Sequence, residues 1–335
     1  MQNKNGNYKG LLGVEEISDV SAYIRKNNLK GIAWLKFRTK IYLYFLLTYL
    51  KLLFTIIIRK CYYGPFKGEF GHMLAHTAPF LMYLHKKGVK IVYCGMELHA
   101  PILVDNTGTS IIYDYRPLRD FFHEVQPKGN EVQPPDDVQK EIMRFEKEGR
   151  SSFYPFWNIG NAYYYFFIHR NFLNKSNCHV YNLKLVYQSD RDFKAVSVFP
   201  RSKGAKVTPN NGGPWDYQKV IDLVKPYVDM VYVIGHPAQS VAIAPQDKVE
   251  VCITADNRIV LEKCANSQLI ITQHSGVVYL GDYFDIDVLV IYNGEQPIKG
   301  IGDTIRFKQN LHRNRELNFA FSYGEIENYL KNKFA

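Results

Sequence analysis

From residue 195 onward the chain repeats one pattern: a short apolar run, a loop, then a segment of helix length. The runs are AVSVFP, MVYVI, VEVCI, LII and VLVIY, beginning at Ala195, Met230, Val249, Leu269 and Val288. Runs this short and this apolar suit strands covered on both faces, and parallel strands need helical crossovers between them. Such alternation predicts an α/β fold with a parallel sheet. Helices are expected over residues 216–228, 257–264 and 323–333, with another beginning over 277–283. The region reads as a nucleotide-binding unit of about four strands, and open sheets of this kind bind ligands at the C-terminal strand ends.

The front half repeats the alternation less clearly. A first strand is expected around residues 56–63, a glycine-rich turn over 62–71, a helix over 72–87 and a buried strand at VKIVYC, residues 89–94. Residues 126–150 are polar and carry Pro127, Pro134 and Pro135 before a charged helix that starts at Asp136, the composition of a surface excursion. Residues 151–169 are unusually aromatic, and their Tyr163 to Phe167 portion is read as core. A length of 335 residues accommodates two domains. The division is a helical segment at 1–55, a front domain at 56–190, a back domain at 191–320 and a closing helix at 321–335.

The N-terminal segment differs in kind. Residues 1–60 hold eleven Lys and Arg against Glu15, Glu16 and Asp19, so most of the net charge of +10 resides there. Residues 41–58 form an apolar run interrupted by Lys51, in which Tyr44, Thr48, Lys51, Thr55 and Arg59 trace one narrow polar stripe at helical spacing. Three arrangements fit: a largely buried helix leading into the first strand, an interfacial helix on anionic headgroups, or a membrane span that a mid-helix lysine makes costly. The first two leave the protein peripheral on the cytoplasmic, inner face of a membrane. Because the basic residues alternate with long apolar stretches, an anionic membrane surface is the expected partner of residues 1–60, and nucleic acid is not.

Five scattered cysteines without CxxC spacing argue against a disulfide framework and a zinc site, and suit a reducing compartment. The first 30 residues lack the apolar core of a signal peptide.

Chemistry-bearing residues fall at the expected strand ends. Gln273-His274-Ser275-Gly276 follows one strand and opens a helix, where backbone N–H groups receive phosphate, or where Ser275 simply caps the first turn. Arg201, Lys203 and Lys206 follow another strand and supply cations beside a diphosphate, or else a solvated basic loop. Both loops leave the same expected sheet at the same end, so they should converge.

The run VSVFPRSKGAK, then GGPWDYQKVIDLV, then LIITQHSGVVYLGDYFDIDVLVIY resembles the donor half of the lipopolysaccharide heptosyltransferases, glycosyltransferases of GT-B fold. In the front half, Gly68-Glu69-Phe70-Gly71-His72 followed by MLAHTAPFL resembles that family's first loop and helix, with Glu for the usual Asp and an additional Gly71-His72. The resemblance spans about residues 60–320. It implies two Rossmann-like domains facing across a cleft, preceded here by the basic, apolar N-terminal segment. It also places the family's base candidate at Glu69. Gly235-His236-Pro237 resembles the His-Pro motif by which bacterial sialyl- and Kdo-transferases contact the phosphate of CMP-sugars, and puts His236 and Pro237 near the nucleotide.

A metal-independent sugar transfer follows as the expectation, with a nucleotide-sugar as substrate and no cofactor. The acceptor is a growing capsule, lipopolysaccharide or lipid-linked glycan. Glu69, His72 and Glu97 are the catalytic candidates. Arg201, Lys203, Lys206, His236, Pro237, His274, Ser275 and Gly276 are the donor-binding ones, and Gly68, Gly71, His76 and His99 belong to the acceptor side. His72 and His76 stand one helical turn apart and with Glu69 form no HExxH metal motif. Two other readings compete: a CMP-sugar transferase of GT-B fold, and a non-catalytic membrane-surface protein.

Overall fold

The computed structural model describes residues 28–66, 70–121, 134–148, 180–189, 193–201, 215–237, 240–273, 275–292 and 318–335. The aromatic run 151–169 lies outside them.

Helix α1 (Gly31–Ile58) ends at Arg59, whose left-handed φ of 54° turns the chain directly into strand β1 (Lys60–Phe66). The first strand therefore begins at Lys60 and takes up half of the expected glycine-rich turn. After it, the expected continuous helix is broken in three. A single turn at Phe70–His72 leads into a π turn at Met73–Thr77, and helix α2 (Ala78–Lys86) follows. Pro79 accounts for the break. In an i→i+5 pattern the carbonyl of Leu74 looks to the amide of residue 79, and proline has none. The Tyr283 hydroxyl donates to that carbonyl instead, at 2.7 Å.

Strand β2 (Lys90–Met96) lies between β1 and β3 (Asp114–Leu118), and both pairings are parallel. Helix α3 (Asp136–Glu148) covers one side through Val138, Ile142 and Phe145, which pack with Val92, Cys94 and Leu118. The short helix α4 (Lys184–Tyr187) precedes the second sheet.

That sheet opens with β4 (Ala195–Phe199), followed by α5 (Tyr217–Val224), β5 (Met230–Gly235), β6 (Val249–Ile253) and α6 (Asn257–Ala265). It continues with β7 (Leu269–Thr272), α7 (Leu280–Phe284), β8 (Asp287–Ile291), β9 (Asn318–Ala320) and α8 (Tyr323–Phe334). The expectation of about four strands is corrected to six, in the order β6-β5-β4-β7-β8-β9, all parallel. The chain starts at the centre, winds outward through β5 and β6, returns to the other side of β4 with β7, and winds outward again. This is the doubly wound Rossmann order, 3-2-1-4-5-6 in sequence terms, and it creates a topological switch point between β4 and β7.

Every residue of β4 and β7 is buried, which explains the unbroken apolar runs. The one polar side chain of β4, Ser197, meets the Ser267 hydroxyl at 2.7 Å and so avoids an unpaired burial. Helices α5, α6 and α8 start at Asp216, Asp256 and Ser322, whose side chains accept from the amides of Lys219, Arg258 and Glu325. Rather than standing apart, α8 buries Ile326 and Leu330 in the same cluster as Val220 and Val224 of α5, and Tyr323 meets Trp215 edge to face.

The two sheets share one core. Tyr63, Leu74 and Leu81 of the front half belong to the same buried cluster as Ile234, Leu261 and Tyr283 of the back half. Polar bonds stitch the seam as well: Asn257 Nδ2 donates to the Leu98 carbonyl at 2.7 Å, and the Tyr187 hydroxyl to the Pro101 carbonyl at 2.6 Å.

The arrangement of α1 departs from a buried helix. Phe37, Leu52 and Thr55 are buried, whereas most of its described large apolar side chains are exposed. Among the described residues, no helix is long and apolar enough to cross a membrane.

Candidate functional site

The switch point gathers three strand ends. At the end of β4, Phe199-Pro200-Arg201 turns so that Arg201 bridges Ser240 and the Pro200 carbonyl accepts from the Val241 amide at 2.7 Å. At the end of β5, a side chain on Gly235 would collide with the Ser240 hydroxyl, so the absent Cβ lets this segment close over the strand ends. His236 and Pro237 follow directly, half-buried and exposed in turn.

At the end of β7, Phe199 and Thr272 are register partners, so the chains leaving β4 and β7 start side by side. The Thr272 hydroxyl donates to the Gln273 carbonyl at 2.9 Å and lies 3.2 Å from the Ser275 hydroxyl. Ser275 occupies the cap position of the turn Gly276–Tyr279 in an extended conformation, yet its side chain makes no capping bond. The helix expected over 277–283 is this 3-10 turn followed by the short α7. Behind it, Asp282 is fully buried; burial, with the Asp282 carboxylate second, raises the ionisation point of Tyr279. Nothing in the sequence marks this acid for burial, since it stands beside Asp285 and Asp287 in the run GDYFDID.

The front half reaches this turn through glycine. A Cβ built on Gly71 would stand 2.7 Å from Gly276 Cα and 3.4 Å from its nitrogen. Two backbones in contact require that both residues lack a side chain. Gly71 and Gly276, assigned to opposite substrates, are therefore brought together directly.

The remaining candidates divide. Glu97 stands exposed at the head of the 3-10 turn Glu97–Ile102 that follows β2. Nearby, the Tyr115 hydroxyl donates to the Met96 carbonyl at 2.7 Å, and burial, with the Glu97 carboxylate second, raises its ionisation point. His99 is a correction: expected at an open cleft, it is fully buried, with Phe66 edge-on at 5.3 Å between ring centres and Phe70 stacked at 6.3 Å. Burial lowers its pKa from 6.5 to about 3, so the imidazole is neutral across physiological pH. Neither ring nitrogen has a hydrogen-bond partner among the described residues. A ring so enclosed is not open to an acceptor.

Gly68, Glu69, Lys203, Lys206 and His274 lie outside the described residues, as do the side chains of His72 and His76, whose backbones lie in the single turn and the π turn. Among the described residues no group of three or more His, Cys, Asp or Glu is gathered to hold a metal ion.

Asn257, at the start of α6, and Tyr283 were both missed in the sequence. Each joins the halves through a backbone carbonyl, a role that leaves no mark in periodicity.

No family model matches the chain, and no curated protein does. Among solved structures it is similar to a glycosyl transferase of family 9 from Veillonella parvula DSM 2008, at 12% identity and a TM-score of 0.46, over 81% of this chain and 89% of the other. It is similar also to the E. coli heptosyltransferase WaaC with ADP, at 11% identity and a TM-score of 0.48, over 82% and 98%. A third is the dodecameric iron-containing heptosyltransferase TibC in complex with ADP-D-β-D-heptose, at 12% identity and a TM-score of 0.41, over 82% and 75%.

Proposed function

We propose that this chain is a metal-independent glycosyltransferase of GT-B type that moves a sugar from a nucleotide-sugar to a bacterial surface glycan or lipid-linked acceptor at the inner face of a membrane. The observation that carries the reading is the meeting of Gly71 with Gly276 at the switch point of a Rossmann-ordered sheet. Nucleotides bind at such points, and here Gly71, two residues after Glu69 in the sequence, meets the turn at the end of β7. The motif resemblance in both halves supports the same reaction class.

In this reading the acceptor hydroxyl oxygen attacks the anomeric carbon while the bond from that carbon to the phosphate oxygen breaks. The Glu69 carboxylate takes the hydroxyl proton, and the nucleotide leaves as its phosphate anion. Arg201, with Lys203 and Lys206, offsets the charge on the departing phosphate, and backbone amides of the Ser275-Gly276 turn contribute hydrogen bonds. Attack opposite the leaving group inverts the anomeric centre.

A thermal-shift panel of ADP, UDP, GDP and CMP tests the proposal. A ligand that binds only the native state raises the melting temperature, so at least one nucleoside diphosphate should stabilise the chain at millimolar concentration. A shift with CMP alone would favour the second reading, a CMP-sugar transferase, for which the position of His236-Pro237 at the end of β5 is the specific support. No shift with any nucleotide would refute both and leave the non-catalytic membrane-surface protein.

A further inference from the structure

Helix α1 is built inside out. Leu43, Leu46, Leu50, Leu53 and Ile57 recur at alternating three- and four-residue intervals, which places them along one side. All are exposed; Leu46 and Leu50 are about half accessible, and Ile57 is 75% accessible. The opposite side is packed: Phe37 and Thr55, separated by about five helical turns and so on one azimuth, are buried together with Leu52. Thr55, a member of the polar stripe read in the sequence, is thus turned toward the protein, while Leu43, Leu46, Leu50 and Leu53 face outward. A helix on a water-soluble surface shows the reverse.

We propose that α1 lies along an anionic lipid bilayer, with its leucine face at the acyl boundary and the basic residues around it on the headgroups. Charge selects this occupant over a second copy of the chain. Between residues 20 and 68 there is no Asp or Glu at all, while Lys30, Lys36, Arg38 and Lys40 fall at the start of α1, Arg25 and Lys26 precede it in the sequence, and Arg59 and Lys60 follow its end. Lys36, Arg59 and Lys60 are exposed. A paired copy would set cations against cations and would offer no acidic residue to the positions that flank a leucine seam. Anionic headgroups supply the missing charge, and juxtamembrane basic residues bind them. Among the described residues no helix is long and apolar enough to cross a membrane, and Lys51 in the middle of the apolar run makes a span costly, so the surface is the position proposed. The inference stands apart from sugar transfer, because lipid binding can be measured whether or not a nucleotide binds.

The test is sedimentation of the full chain with vesicles of phosphatidylcholine containing a quarter phosphatidylglycerol, compared with phosphatidylcholine alone. Partitioning should be at least tenfold stronger onto the anionic vesicles and should weaken as salt is raised. The triple variant Leu46→Ser, Leu50→Ser, Ile57→Ser should lose at least tenfold of that partitioning with its melting temperature unchanged. Ile57→Ser alone, at the most exposed of the three positions, should lose several-fold and guards against misfolding of the triple variant. Undiminished partitioning of these variants, equal binding to both vesicle types, or a vesicle-free dimer that the triple variant dissociates would each overturn the proposal.

Discussion

Gly71 and Gly276 approach backbone to backbone, so closely that a methyl group on either would overlap the Cα of the other. This contact joins the single turn Phe70–His72 to the turn after β7. Gly71→Ala and Gly276→Ala should each push the turns apart, at about 1–3 kcal/mol of stability by analogy with overpacked cores. Chemical denaturation measures the loss, and transferase activity should fall more than the lost fraction of folded protein explains.

Replacing Glu69 by Gln keeps the shape and removes the base. Turnover should drop by roughly two to four orders of magnitude, while nucleotide binding by calorimetry stays within a few-fold. Full turnover in this variant would remove Glu69 from the mechanism.

Arg201→Ala should weaken nucleotide binding. A hydrogen bond to a charged group is worth about 1.5–3 kcal/mol, which corresponds to a rise in Kd of roughly tenfold to a hundredfold. Arg201→Lys should recover part of the loss, since it keeps the charge and gives up the planar fork.

His99 makes a prediction about pH. In the folded chain its pKa is depressed to about 3 against 6.5 when unfolded, so below pH 6.5 the unfolded state takes up a proton that the folded state refuses. Stability is therefore lost as pH falls from 6.5 toward 3, and at pH 5 this group accounts for about 2 kcal/mol. His99→Phe retains the ring packing against Phe66 and Phe70 without the titration. Urea denaturation should find the variant increasingly more stable than the parent between pH 7.5 and pH 5.

Tyr283→Phe leaves the Leu74 carbonyl buried at the π turn without its donor. The cost should be about 1–3 kcal/mol, read by denaturation.

The back sheet was legible because burial on both faces leaves a continuous apolar signature at β4, β5, β7 and β8. Elements without that signature were missed. Strand β3 reads DYRPL and is buried only at Leu118, and β9 has three residues, so neither carries a pattern. The π turn depends on what Pro79 cannot donate and on Tyr283, which is distant in sequence, so local spacing pointed to a plain helix. In α1 the periodicity was visible, but its sense was not. A polar stripe normally marks the wet side, whereas Thr55 within it is buried and the leucines across from it are exposed. At the site, motifs located both Gly71 and Gly276, whereas their contact is a tertiary fact that no spacing encodes.

The apolar cluster running from Tyr63 through Leu74 to Tyr283 and Leu261 makes the boundary near residue 190 a division of topology and not of cohesion. Cutting the chain there would leave Tyr63 and Leu74 on one fragment and Tyr283 and Leu261 on the other facing water. A single melting event is therefore the expected behaviour of the two halves.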